Sequence, residues 1–435
     1  MKKAVALFLA LCLAFAMTAC TNNANESSNV SSAESGSQPA TTGEKTKITF
    51  WSPFSGGDGD IMKSLVDAFN EASDTTEVEF LILKSEEYYT KLMVSMSSNT
   101  APDTAIMHIS RTLEFTNDNL IEPLDDLAAE AGVNWSDFTQ ALQDASLVDG
   151  KHYAMPLDTH LLLMHFNKEI LGDIGMLDAD GIPTMQPGEE GFFNYFNEVK
   201  SKVPASIMPI SGTSSGGLPQ YLWYTLLTQH GGEIQSEDGK TATLDTPENK
   251  KALSIIKKMV DTGLWPKNQK NGGEIFSAKS AAATINGNWG VPIFEGVEGL
   301  DFVSLAFPQF TDTKAVYADS HTLILPKQQN ADPAKQKSVM EFMNWLTSNS
   351  VLWANAGHVP SKSAVLESEE FKSLPYRSDY AQSAEYAHFY PRSLSITGLI
   401  EVVQRELATM ITGEQDVDTT AKNMQEGYQK LLDSK

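Results

Sequence analysis

The stretch from Lys47 to Asn70, KITFWSPFSGGDGDIMKSLVDAFN, decides how the fold begins. It opens with a β-rich run that ends at Trp51, and a loop rich in glycine and serine follows. Apolar residues then recur at helical spacing from Ile61 to Phe69, and Asn70 ends the pattern. The stretch therefore predicts a strand, a loop and an amphipathic helix, in that order.

The same order repeats directly downstream. Residues 78–82 form a second β-rich run before helical spacing at 88–96, and residues 104–107 form a third run. Strands that alternate with helices predict βαβ units and a mainly parallel sheet with helices on both faces. Because ligands bind at the carboxyl ends of strands in such sheets, we expect the loops after these three strands at a binding site.

A second series of elements lies further along the chain. It comprises predicted strands at 206–210 and 322–325 and predicted helices at 220–229, 247–262, 333–348 and 398–411. The series indicates a second α/β unit, and the last hundred residues are mostly helical.

The composition is that of a large, acidic globular protein. The chain has 435 residues, with 32 Lys and Arg against 56 Asp and Glu, which gives a formal net charge of −24. Its length predicts two or three domains at about 150 residues each. The charge argues against a nucleic-acid ligand, since phosphate contacts need Lys and Arg. A neutral or cationic ligand is favoured, and no cofactor is expected.

The amino-terminal residues predict export and lipid attachment. Two lysines precede an apolar run of signal-peptide length, which ends in MTAC at residues 17–20. This end resembles the bacterial lipobox, so residues 1–19 would be removed and Cys20 would carry two acyl chains. Ordinary secretion, with Cys20 incidental, is the alternative. Residues 20–45 lack aromatic side chains, which predicts a flexible tether. With the lipid attached, we expect the protein on the outer face of the cell membrane of a Gram-positive bacterium.

Short stretches along the whole globular part carry a family resemblance. They include APDTAIMH at 101–108, LIEPLDDL at 120–127, INGNW at 285–289, YADSHTLILPK at 317–327 and ANAGHVPS at 354–361. In this order and spacing they resemble the family 1 extracellular solute-binding lipoproteins of carbohydrate ABC importers, which include maltodextrin-binding proteins. The resemblance implies an α/β fold of two lobes joined by hinge crossings, with the ligand in the cleft between them.

The resemblance also implies how the chain divides. The crossings are expected near 158–160, 319–321 and 361–365. Lobe one would comprise 46–157 plus 321–362, and lobe two 158–320 plus 363–435. A monomer of this kind captures a sugar, in particular an oligosaccharide, by hinge closure, delivers it to permease subunits in the membrane, and is not an enzyme.

The candidate binding residues are those that suit a sugar, which presents hydroxyls at its edge and C–H bonds on its faces. They lie at strand ends, crossings and loops, and they are Trp51, Asp58, Asp103, His108, Asp158, His160, Asn288, Trp289, Asp319, His321 and Trp353. Trp289 is the best aromatic platform, because glycines on both sides leave its ring uncovered. Packing explains Trp51 and Trp353 equally well, and a turn explains Asp103. For the two Asp-X-His triplets, hydrogen bonding within the hinge is the alternative.

One motif favours an enzyme instead. Residues 212–216, GTSSG, fit the Gly-x-Ser-x-Gly pattern between a strand and a helix, so a lipid-anchored hydrolase using Ser214 is one alternative. A receptor for a non-sugar solute, such as a polyol phosphate or a peptide, is another. Phosphate would need arginine, and the chain has few, which favours a sugar. No spacing indicates a metal site, although the two triplets offer four nitrogen and oxygen ligands.

Overall fold

The computed structural model describes residues 44–435. The predicted leader, the lipidation site Cys20 and the tether up to residue 43 lie outside the described residues. Within the described part, no helix combines the length and the apolar content that crossing a bilayer requires.

The described part of the chain contains both strands and helices. The strands are β1 (Thr46–Ser52), β2 (Thr76–Ile82), β3 (Thr104–His108), β4 (Leu147–Val148), β5 (Lys151–His152), β6 (Met155–Pro156), β7 (Asp158–Asn167), β8 (Met208–Ser211), β9 (Ala281–Gly287), β10 (Phe302–Ala306), β11 (Val316–Asp319), β12 (His321–Ile324), β13 (Val359–Pro360) and β14 (Ala387–His388). The helices are α1 (Gly57–Ala72), α2 (Ser85–Ser97), α3 (Thr112–Asn117), α4 (Asp125–Glu130), α5 (Gln140–Ser146), α6 (Lys168–Asp173), α7 (Gly188–Lys202), α8 (Gly217–Gln229), α9 (Pro247–Asp261), α10 (Gly272–Ser277), α11 (Val291–Glu295), α12 (Pro333–Ser348), α13 (Val351–Ala354), α14 (Ser363–Leu366), α15 (Glu369–Lys372), α16 (Arg377–Ala381), α17 (Ile396–Thr412) and α18 (Val417–Leu432). The longest predicted elements are all present, because their apolar periodicity is continuous.

One sheet contains the strand–helix units of the amino-terminal stretch. Its order is β2-β1-β3-β12-β6, and β1 pairs in parallel with both β2 and β3. Helices α1 and α2 are the crossovers that parallel pairing requires. β12 arrives from a distant part of the chain and pairs antiparallel to β3, with His321 opposite His108. This pairing brings two predicted site residues to the same edge of the sheet.

The second sheet is built on β7, a strand of ten residues that are all buried. Its order is β14-β11-β7-β9-β8, and β10 and β13 also pair with β7. β9, β10, β11 and β13 all run antiparallel to β7. The expectation of a mainly parallel sheet is therefore wrong for this sheet. β7 carries the chain into it and β11 carries the chain out, so the two strands run in opposite directions.

The chain passes between the two sheets at three places. β6 ends at Pro156 in the first sheet, and β7 begins at Asp158 in the second. β11 ends at Asp319 and β12 begins at His321, with Ser320 alone between them. The third place is β13, which pairs with the first two residues of β7. The predicted residue ranges of the two lobes stay a prediction.

The apolar core is divided as well. One cluster contains the inner residues of β7, β9 and β11 together with helices α7 to α10 and α17 to α18. Two further clusters contain the inner residues of β1, β3 and β12 with α1, α2 and α12. Two α/β bodies with separate cores therefore meet where the chain crosses between the sheets.

Candidate ligand-binding cleft

The crossings bring one carboxylate and three imidazoles together. Asp158 and His160 begin β7, His321 begins β12, and His358 directly precedes β13. Asp158 and His160 are two positions apart on a strand, so their side chains leave the same face of the sheet. The Nδ1 atoms of His321, His160 and His358 lie 2.8, 3.5 and 3.8 Å from the Asp158 carboxylate oxygens. All four side chains are buried, and we call them the histidine cluster.

The Asp158 carboxylate is held by residues of the first sheet and its helices. It accepts a hydrogen bond from the backbone N–H of His321 at 3.0 Å and another from the indole N–H of Trp353 at 2.6 Å. Burial by itself would raise the pKa of Asp158. The neighbouring imidazoles and the hydrogen bonds outweigh burial and hold this pKa well below its usual range. Asp158 is therefore a buried anion that its surroundings stabilise.

The sequence did not single out His358. Its ring stacks on Trp353 with the ring centroids 4.8 Å apart, and its Nε2 lies 3.5 Å from the carboxylate of Asp58. Burial lowers the pKa of His358, but the carboxylates of Asp158 and Asp58 outweigh burial, so the net shift is upward. Asp58, at the start of α1, thus reaches the edge of the cluster, and its role in binding stays a prediction.

His108 extends the cluster from the end of β3. Its ring centroid lies 5.0 Å from that of His321 and 5.3 Å from that of His160, and its Nδ1 shares a hydrogen bond with the Tyr89 hydroxyl. Burial lowers the pKa of His108 to about 4 and raises the pKa of Tyr89 to about 12, so both side chains are neutral at pH 7. Burial also lowers the pKa of His321. Tyr89 was not among the predicted residues, because nothing in its helix distinguishes it.

Asp319 links the two bodies beside the cluster. Its carboxylate accepts hydrogen bonds from the Ser110 hydroxyl at 2.6 Å and from the Ser320 N–H at 2.8 Å. Ser110 follows β3 and Asp319 ends β11, so this bond joins one sheet to the other. Next to it, the Arg111 guanidinium donates to the hydroxyl of Thr397, in α17, at 2.6 Å. These contacts hold the two bodies against each other.

Trp289 provides an aromatic surface on the second body. Its indole lies over Gly287, where any side chain would overlap the ring. The residue is only partly buried, and its ring centroid lies 5.9 Å from that of His160 and 6.0 Å from that of Tyr221. Tyr221 in turn stacks on Tyr317 with centroids 4.0 Å apart. Trp289, Tyr221 and Tyr317, which we call the aromatic wall, therefore border the histidine cluster.

Asn288 has a different environment from its neighbour. Its amide is buried, accepts a hydrogen bond from the Leu161 N–H at 3.2 Å and donates to the Thr159 carbonyl at 3.3 Å. These bonds fasten the loop after β9 to β7. The Asn288 carbonyl lies against Gly357, whose φ of +91° and lack of a side chain permit the contact. A glycine directly before a histidine in a turn is the signal by which the sequence could have pointed to His358.

Trp353 lies beneath the cluster. It is fully buried, its indole N–H is used by Asp158, and its ring centroid lies 4.8 Å from that of Phe54. We call Trp353 and Phe54, together with the His358 and Asp158 side chains that they support, the buried floor.

The structure does not bring Trp51 and Asp103 to the cluster. Trp51 packs against an apolar group that includes Tyr88 of α2. Asp103 accepts hydrogen bonds from Lys335 at 3.1 Å and from the Thr49 N–H at 2.8 Å. It precedes β3, so it lies at the opposite end of that strand from His108. Parallel strands present their ligand sites at the carboxyl end, which explains why Asp103 stays apart.

The Ser214 hydroxyl is used within its own loop. It donates to the Pro266 carbonyl at 3.1 Å and accepts from the Gln269 N–H at 2.7 Å. Among residues 44–435, no histidine or carboxylate hydrogen-bonds to it. α8 begins at Gly217, three residues before the predicted start at 220, after Gly216 turns the chain with a φ of +82°. The geometry is that of a structural loop.

The structure consists of two α/β bodies joined by three crossings, and aromatic and polar side chains lie where the bodies meet. This arrangement is that of a two-lobed binding protein. The chain belongs to the family of bacterial extracellular solute-binding proteins, whose family model matches residues 64–377. The two-lobe α/β fold and the solute-binding family expected from the sequence are both confirmed. Membership makes this a secreted or surface-exposed protein.

Individual relatives differ in their ligands. The chain is 27% identical to the diacetylchitobiose-binding protein DasA of Streptomyces coelicolor, over half of each chain. It is 20% identical to a maltotriose-binding protein of Pyrococcus abyssi, over 89% of this chain and 82% of that one. Among solved structures, UgpB from Mycobacterium tuberculosis, in complex with glycerophosphocholine, matches with a TM-score of 0.79 at 17% identity, over 90% of this chain and 99% of that one. The structural likeness establishes the fold and leaves the ligand open.

Proposed function

We propose that this chain is the substrate-binding component of an ABC importer and captures a sugar, in particular an oligosaccharide, by closing its two lobes. The aromatic wall carries the proposal. Its Trp289 ring is partly exposed at the joint between the two bodies, next to a polar cluster. Such a ring packs on the C–H face of a sugar, while the carboxylate and imidazole groups beside it suit hydroxyls.

The relatives support a sugar over other solutes. DasA and the Pyrococcus protein are named for a disaccharide and a trisaccharide. The rival is a phosphate-bearing solute, as in UgpB. A phosphate calls for arginine with free donors. Arg111, which lies beside the cluster, places its guanidinium over the Tyr89 ring and donates to Thr397, so it is engaged between the lobes.

A ligand screen tests the proposal directly. Thermal unfolding would be followed with monosaccharides, with diacetylchitobiose and maltotriose, and with glycerophosphocholine. A ligand at 100 times its Kd adds about 2.7 kcal/mol to the free energy of unfolding, so a true ligand raises the Tm clearly. We expect an oligosaccharide to do so. Stabilisation by glycerophosphocholine alone would refute the sugar assignment and leave the family membership intact.

The proposal includes attachment and delivery. The protein would act as a monomer without catalysis, held by a lipid on Cys20 and handing its sugar to permease subunits. Cys20→Ser should release the protein from the membrane or leave it unprocessed, because no acyl chains can be attached. Membrane fractionation and the amino-terminal mass provide the measurement. A variant that is processed normally and stays on the membrane would contradict the anchor.

A further inference from the structure

We propose that Asp158, His160, His321 and His358 form a binding site for a divalent first-row transition metal ion. Zinc fits the four ligands best. The proposal does not depend on the sugar function. One ligand atom from each residue lies within 4.8 Å of the other three, and all four residues are buried.

The donor set fits zinc. Three imidazole nitrogens and one carboxylate oxygen are the ligands that zinc takes in a tetrahedral site, at bond lengths of about 2.0–2.2 Å. Such bonds place neighbouring ligand atoms about 3.3 Å apart. The four ligand atoms lie within 4.8 Å of one another, so a bound ion requires the cluster to contract. Calcium and magnesium prefer six or more oxygen ligands, which this cluster does not supply.

His358 provides an independent indication of a ligand. Both of its ring nitrogens are buried and lack a hydrogen-bond partner within residues 44–435. An imidazole carries at least one N–H, and a buried donor without an acceptor is costly. A cation bound by Nδ1 would use one nitrogen and turn the other towards Asp58. In the structure, the Asp58 carboxylate lies 3.5 Å from Nε2 of His358, too far for a good hydrogen bond.

The surroundings resemble the outer shell of a metal site. Metal-bound histidines usually donate their second N–H to a carboxylate, and bound carboxylates are themselves hydrogen-bonded. Asp58 faces His358 in this way, and the Trp353 indole holds the Asp158 carboxylate at 2.6 Å. His165, a buried histidine outside the cluster, leaves only its Nε2 without a partner, because its Nδ1 bonds the Ser304 hydroxyl at 2.8 Å.

The position explains what the ion would do. The four residues come from β7, β12 and the turn before β13, so one ion would tie the three crossings together. The sequence predicted no metal site, because the two triplets lacked a visible partner. His358, which completes the set, lies on the third crossing, nearly two hundred positions away from His160.

Metal titration of the full chain tests the site. After EDTA treatment and dialysis, zinc binding would be measured by calorimetry and cobalt binding by visible absorption. We expect one equivalent and a tetrahedral cobalt spectrum. His358→Gln should weaken zinc binding by more than about 100-fold, and Asp58→Asn by about 10–100-fold, the usual effect of an outer partner. His230→Gln is the matched control, since that ring bonds the Leu226 carbonyl instead, and should bind zinc as the wild type does.

Two results would overturn the proposal. One is an apo protein that takes up neither metal. The other is a tight equivalent that persists in His358→Gln, which would place the metal outside the histidine cluster. If His358→Gln fails to fold, Asp58→Asn decides, because that side chain is partly exposed and its replacement keeps the same size. Sugar titration in EDTA, run separately, keeps a failed metal site distinct from a failed sugar site.

Discussion

The buried floor and the aromatic wall each present a tryptophan to the histidine cluster, and the two tryptophans differ in exposure. Trp353 is 0% exposed, with its ring on His358 and Phe54 and its N–H on Asp158. Trp289 is partly exposed and packs edge-on against His160 and Tyr221. The buried floor therefore stabilises the crossings between the two bodies and holds the Asp158 carboxylate in place. The aromatic wall remains available for a ligand.

Burial, and not residue type, separates the roles of the two tryptophans. A buried ring contributes through packing and through the polar group that it satisfies. A partly exposed ring at a closing interface contributes mainly when a partner covers it. Substitutions in the floor should therefore change stability, and substitutions in the wall should change affinity.

The largest effect is expected in the floor. Trp353→Ala should lower the free energy of unfolding by about 3–5 kcal/mol, because it leaves a cavity and removes a donor from buried Asp158. Trp353→Phe keeps most of the ring volume and should cost less. Chemical denaturation followed by circular dichroism measures both variants. A loss below about 1 kcal/mol in Trp353→Ala would remove the distinction between floor and wall.

The wall should respond in affinity. Trp289→Ala should weaken sugar binding roughly thirty-fold or more, because truncating an aromatic anchor costs about 2 kcal/mol or more and each 1.4 kcal/mol is tenfold. Calorimetry measures the affinity, and a denaturation curve shows whether the fold persists. Trp135→Ala is the matched control, since that partly buried ring stacks on His152 instead. Unchanged affinity in a folded Trp289→Ala would move the sugar site away from the wall.

In the core of the second body, stability should depend on pH through His165, which packs against Phe276 and Phe294. Burial lowers the pKa of this histidine to about 3, so its side chain is neutral in the folded protein at neutral pH. In the unfolded chain the same side chain takes up a proton at a higher pH. The folded state is therefore favoured above the pKa of the unfolded chain, and this contribution to stability is lost as the pH falls. With an unfolded pKa of about 6.5, the protein should lose about 2 kcal/mol between pH 8 and pH 5 from this group. His165→Gln should lose correspondingly less over the same interval, as measured by denaturation at both pH values. Equal losses in wild type and variant would contradict the assignment.

The smallest effect is expected in the loop that precedes α8. Ser214→Ala should cost about 1 kcal/mol of stability, since one hydroxyl joins two backbone groups of its loop. Sugar affinity should stay within a few-fold of wild type. Hydrolysis of a sugar ester or glycoside that disappears in this variant would instead support the enzyme alternative.

The local elements and the family could be predicted from the sequence. Apolar periodicity is a property of neighbouring residues, so β3, α9 and α12 could be placed within a residue or so. Strand ends and crossings also marked Asp158, His160 and His321 as candidates, and these three do meet. The flanking glycines pointed to Trp289, and Gly287 does lie beneath its indole.

Long-range strand pairing and packing determine which distant residues share a site and how deeply each is buried. β13 had to pair with the start of β7 before His358 could join the histidine cluster. Trp353 had to be covered by Phe54 and His358 before it became a floor, and Asp103 fell at the far end of β3 from His108. The antiparallel sheet around β7 likewise follows from the direction in which the crossings enter and leave. Pairing and burial depend on contacts between residues hundreds of positions apart, and no local pattern encodes them.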